Sequence, residues 1–210
     1  MPLLWSPDRG GLVTLFVLVF VLGLHGIGFF VAAVSAVGIP AVLASRLGQG
    51  AAGYGLVLAA IGVGALAGNL IIGNVQAARW LPTYCCAWGV TGIALIGYSA
   101  APSLPVMIGF GLLSGLATPA AAVTLRARLA DFEGPERLWL ITVDQTVIRS
   151  AGTVGMLTLP LAIDAAPAVT FAGAGVFLAA AAIVSGLVAR WAVASRAAKE
   201  RVLAATRASS

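Results

Sequence analysis

The sequence predicts an all-α membrane protein, a bundle of six transmembrane helices, and three observations carry that prediction. Six long apolar runs fill almost the whole chain, each able to cross a hydrocarbon core of ~30 Å, which needs roughly 20 residues. Composition agrees: 60% of the 210 residues are hydrophobic, 9% are charged and the mean hydropathy is +1.05, outside the range of ordinary water-soluble domains. The third observation is where the 12 basic residues fall. Threading six crossings puts Arg9, Arg79, Arg126, Arg128, Arg137, Arg190, Arg196, Lys199, Arg201 and Arg207 on one side, and only Arg46 on the other. Short loops rich in Lys and Arg resist translocation. Both termini are therefore expected in the cytoplasm, with Arg149 left inside the membrane, in a multi-pass protein of the plasma (inner) membrane.

The first run, about 12–38, holds His25 among Gly23, Gly26 and Gly28. Its Val34-Ser35-Ala36 mimics a signal-peptide cleavage site, but the stretch exceeds an h-region and its leading segment is poorly basic, so cleavage is not expected. The second, about 53–76, carries a Gly64/Gly68 pair in GxxxG spacing and then Asn69. The third, about 82–100, opens on adjacent Cys85 and Cys86, which cannot form an ordinary structural disulfide with each other and are expected to be reduced. In the fourth, about 104–127, Gly111 and Gly115 repeat the GxxxG spacing, Ser114 and Thr118 add hydroxyls, and Pro119 should kink or loosen the preceding turn. The fifth, about 138–161, contains Asp144, Gln145 and Arg149; the sixth covers about 168–192. A basic tail, 193–210, is expected to run out as a helix along the headgroups.

Connections at 77–81 and 100–104 are a few residues each, so consecutive helices are antiparallel neighbours in one domain. Longer connections are expected at 39–52 outside and at 128–137 inside. The latter splits the chain into two sets of three helices, and this topology admits a 3+3 inverted repeat.

Polar side chains within a membrane span usually face protein or a wet cavity. By helical rise, Asp144 lies about 9 Å and Arg149 about 17 Å from the cytoplasmic end of the fifth helix, and His25 about 20 Å from that of the first. His25 and Arg149 are thus expected to line one chamber, with Gln145 within reach of the guanidinium on the same helix face. Asp144 is about 140° round from Arg149, too far for an ion pair within the helix. Arg149 must be solvated by a cavity, snorkel to the cytoplasm or pair with something outside the chain. As a titrating group His25 is able to carry a proton; alternatively it is neutral and bonded to a backbone carbonyl. Asn69, Ser114 and Thr118 are weaker cavity candidates, since such groups also bond to their own helix or to neighbours.

Several functions are disfavoured. The sequence pI near 10.0 reflects basic residues at the membrane edge rather than a phosphate-tracking stripe, so no nucleic-acid partner is expected. Leu113-Ser114-Gly115 is loosely similar to the nucleophile segment of rhomboid-type proteases, but no histidine stands on the last helix to serve as base. One histidine and two vicinal cysteines give no metal cluster. No phosphate loop is present, and the paired Asn-Pro-Ala motifs of aquaporins are missing. Neither enzymatic activity nor a cofactor is expected.

The segment Leu47-Gly48-Gln49-Gly50-Ala51-Ala52-Gly53-Tyr54-Gly55 continues through Gly62, Gly64 and Gly68 with small residues repeated down the helix. In this, and in its topology over the whole chain, the protein resembles one six-helix half of a major facilitator superfamily transporter, the C-terminal half in particular. Gly73-Asn74-Val75-Gln76-Ala77-Ala78-Arg79 keeps a glycine and one base of the family's signature loop and lacks its acid. Gly152, Gly155 and Pro160 depart from the antiporter spacing, so antiport is not implied. The resemblance implies a small-molecule substrate held between two six-helix units, with the first and fourth helices lining the cavity and the second and fifth near the other unit. That second unit would be another copy of the chain or a complementary half, and efflux is favoured over uptake. The competing reading is a transport-incompetent fragment or accessory protein that associates with another transporter.

Overall fold

A computed structural model describes residues 9–74 and 80–208, with side chains described for 19–74, 80–191 and 194. Six helices follow one another: α1 (Arg9–Leu47), α2 (Ala51–Asn74), α3 (Trp80–Ala100), α4 (Leu104–Leu129), α5 (Gly134–Ala165) and α6 (Pro167–Ala208). All six are long and apolar enough to cross a membrane. The protein is a multi-pass, all-α membrane bundle, and no strand occurs among the described residues. Helix is the state such sequences must adopt, because lipid offers no hydrogen bonds and each peptide group has to be satisfied within its own segment.

Two connections are shorter than the sequence expectation. α1 does not stop near residue 38 but runs through Pro40 to Leu47, because Ile39, Val42 and Leu43 are wholly buried against the bundle and this packing outweighs the hydrogen bond that proline removes. Helix α1 ends instead at Gly48, whose φ of +61° turns the chain so that the Gln49 N–H donates to the Leu43 carbonyl at 2.9 Å, a stop built on a left-handed glycine. The connection expected at 39–52 therefore shrinks to 48–50, and that expected at 128–137 shrinks to 130–133. Pro105, Pro135 and Pro167 each sit in the first turn of a helix, where their missing N–H is not needed. The backbone of 193–208 continues α6 without a break. Val75–Arg79, the greater part of the signature-like loop, lies outside the described residues.

The most extensive pairings are α2 with α4, α3 with α6 and α1 with α5. Exchanging the first three helices for the last three maps these pairings onto themselves, as a 3+3 inverted repeat requires. Glycine makes each of them. A Cβ on Gly64 or Gly68 would strike the backbone of Leu112 or Leu116, and one on Gly115 would strike the Ile61 carbonyl. Gly92 of α3 and Gly175 of α6 face each other, each 2.5–2.7 Å from the other's carbonyl oxygen when a Cβ is added. On the third seam Gly155 meets the Phe30 carbonyl at 2.6 Å and Gly26 meets Val147 at 2.8 Å in the same sense. Between helices in lipid there is no hydrophobic force, and close backbone approach supplies dispersion in its place.

Polar contacts at the two ends fix the helices further. The Arg46 guanidinium donates to the Ser99 carbonyl, a cation at the C-terminal end of α3 where the helix dipole favours it. At the opposite end Arg128 pairs with Asp131 at 2.6 Å and lies over the Trp80 ring at 5.8 Å.

Overpacking these seams should destabilise the bundle by about 1–3 kcal/mol. Gly115→Ala and Gly92→Ala are expected to lower the thermal midpoint in nanodiscs, whereas Gly62→Ala, with open space at its Cβ, should leave it unchanged or raise it. Equal effects at all three positions would contradict the seam geometry.

Candidate functional site: a buried histidine–aspartate pair

The close α1–α5 seam at Gly26 brings the preceding residue, His25, against Asp144. Their Nδ1 and Oδ1 atoms lie 2.9 Å apart, with the side chains 0% and 1% exposed. The approach is off the line of a well-formed hydrogen bond, so the contact is best described as a close pairing of imidazole and carboxylate. His25 Nε2 and Trp88 Nε1 are also buried without a hydrogen-bond partner. Orphaned buried polar groups are rare in folded proteins, and a chemical role is one of the reasons they are kept.

Aromatic rings close the pair from lipid. Phe29, one turn along α1, has its ring 5.1 Å from the imidazole. From α3, Trp88 approaches to 5.7 Å and Tyr84 to 6.1 Å, the latter edge-on. Tyr84 and Trp88 are four residues apart and so share one face of α3. Gly28 clears the space that the Trp88 ring fills. The Tyr84 hydroxyl donates to the Val21 carbonyl at 2.9 Å, which ties α3 to α1 one turn from His25. Three helices therefore meet at His25, where Tyr84 and Trp88 are fully buried and Phe29 is partly buried.

The other sequence candidates are dispersed. Gln145 is half-buried beside Asp144, while Arg149 is exposed on the outer face of α5 and Asn69 is exposed on α2. Asp144, not Arg149, is the group beside His25. Thr118 lies 3.4 Å from Thr91, hydroxyl to hydroxyl, and Ser114 lies 3.1 Å from the Tyr98 hydroxyl; both contacts join α3 to α4. A groove of about 470 Å³ opens between α2, α3 and α4, lined by apolar residues such as Ile72, Val90 and Ala120 together with Cys86. It touches neither His25 nor Asp144, so the buried pair and this groove are separate features. Among the described residues no three His, Cys, Asp or Glu side chains gather as a metal would require.

Sequence reasoning missed the aromatic wall of Tyr84, Trp88 and Phe29. The i, i+4 spacing of Tyr84 and Trp88 was an available signal, but it does not reveal which helix α3 faces. Chemically, an imidazole in contact with a carboxylate is able to hold a proton and pass it between the two groups, in surroundings that exclude water. The chain matches no family model, no curated protein and no solved structure.

Removing one member of the pair leaves the other buried and uncompensated, whereas removing both does not. Asp144→Leu and His25→Leu should each lower stability in nanodiscs by about 1–3 kcal/mol, and the double variant should lose clearly less than the sum. Additive losses would show that the two side chains do not interact.

Proposed function

We propose that the chain is one six-helix unit of a secondary transporter of major-facilitator type, moving a small molecule across the plasma membrane, with efflux favoured. Both termini are cytoplasmic in this reading, in keeping with the distribution of bases. No covalent chemistry is involved. Transport proceeds by rocking against a second six-helix unit, a complementary half or another copy of the chain. One observation carries the reading: His25 and Asp144 form an ionisable pair wholly enclosed within the bundle. Ionisable groups inside a membrane protein are costly and typically mark a substrate or ion path. The helix pairing, unchanged when the two sets of three are exchanged, supports the same reading, because transporter folds are often built from such repeats.

A second reading has its own support. His25 and Asp144 pair with each other and are sealed from solvent, as a purely structural clamp would be in an accessory subunit that does not transport.

Mass measurement of the solubilised assembly, combined with dye export, separates the two. The transporter reading predicts, in the cells where the chain naturally occurs, a stable assembly of two six-helix units and export of at least one member of a panel of lipophilic dyes. Asp144→Asn should reduce that export about tenfold or more without dispersing the assembly, the scale expected for loss of a proton-transfer group. A strict monomer without export would establish the accessory reading instead.

A further inference from the structure

Thr142, Thr146, Arg149, Ser150 and Thr153 are all exposed on α5, and at about 100° per residue they fall within an arc of roughly 100°. This is a polar stripe on the outside of a membrane-spanning helix. α5 is also the least covered helix of the bundle, with 11% of its apolar stretch buried against 22% or more for every other span. The threonines are harmless in lipid: the Thr142 and Thr146 hydroxyls donate to the Leu138 and Thr142 carbonyls at 2.7 and 2.8 Å.

Arg149 is different. It stands about 22 Å along the helix from Gly134 at one end and about 22 Å from Asp164 at the other, the middle of the span. Asp144 lies five residues away on another face and is held by His25. Asp131 is paired with Arg128, and Glu133 and Glu136 sit at the start of α5. Among the described residues Arg149 has no counter-charge.

We propose that this face of α5 seats a second membrane-spanning unit that presents a carboxylate at the depth of Arg149, and that this unit is not another copy of the chain. The inference rests on the half-transporter reading and narrows its partner. Two copies in one membrane run parallel, so an α5–α5 contact places guanidinium opposite guanidinium at equal depth, where the low dielectric leaves the repulsion almost unscreened. A carboxylate at that position meets the planar guanidinium with two parallel hydrogen bonds, and the small and hydroxyl side chains on either side permit close helix approach.

The test uses the chain itself as the probe. Full-length wild type and full-length Arg149→Glu, carrying different fluorescent tags, are reconstituted together in liposomes, and mixed and self pairs are counted by single-molecule photobleaching. The variant supplies a carboxylate at the required depth. Mixed pairs should exceed either kind of self pair by about fivefold or more, the range of polar helix–helix contacts in membranes. Wild-type self pairs as abundant as mixed pairs, or no excess of mixed pairs, would overturn the proposal.

If Arg149→Glu does not fold, Ser150→Glu keeps the arginine and adds the acid one residue on, where the two side chains of one helix do not face each other. Self-pairing of this variant should then rise by a similar factor over wild type, and an unchanged level would overturn the proposal equally. Dye export in the absence of preferential mixed pairing would leave transport standing and remove this inference. Preferential mixed pairing without export would do the reverse.

Discussion

Lipid provides neither hydrogen bonds nor a hydrophobic force between helices, and the fold answers both deficits. The peptide groups are satisfied by six continuous helices joined by very short connections. Cohesion then has to come from contact distance, and at each of the three main pairings a glycine lets one backbone touch the next. The third consequence concerns charge. A charge at mid-membrane needs a partner at its own depth, either inside the bundle or outside it.

The two mid-span charges of α5 meet that requirement in opposite ways. Asp144 faces inward, where the Gly26 seam draws α1 close enough for His25 to reach it. Packing produces the electrostatics here: without the glycine contact the carboxylate would have no partner, and without Gly28 the Trp88 ring would not fit against the imidazole. Arg149 faces outward with no counter-charge among the described residues. One helix thus carries an ionisable group paired within the bundle and another with no partner there, which suits an element that is core on one side and interface on the other.

The number of helices, their apolar character and the glycine pairs of α2 and α4 were legible in the sequence because each depends on a local pattern. Gly64, Gly68, Gly111 and Gly115 do form one seam, although their spacing alone could not say that they meet one another. The end of α1 was not legible. Pro40 marks a local stop, and only the burial of Ile39, Val42 and Leu43 reveals that tertiary packing overrides it. The partner of Asp144 was hidden for a related reason. Depths counted from helix starts are offset when helices overhang by different lengths, and α1 and α5 begin at Arg9 and Gly134 rather than at the first strongly apolar residue. The α1–α5 contact also joins two parallel helices that are not consecutive, a neighbour relation that short connections do not report. The dispersal of Asn69, Thr118 and Arg149 over different faces follows from the same missing neighbour map.

The central claim is that Asp144 is balanced from within by His25, and the chain offers an unusually clean way to check it, because it contains one histidine. Solid-state NMR of protein labelled with ¹⁵N only at histidine and ¹³C only at aspartate, in lipid bilayers, would measure the dipolar coupling between His25 Nδ1 and the Asp144 carboxyl carbon. The structure predicts a coupling corresponding to direct contact, lost in Asp144→Asn prepared with the same labels, and an imidazole that does not exchange rapidly with water. An imidazole that exchanges freely and shows no carboxyl coupling would contradict the account, and with it the functional role proposed for this pair.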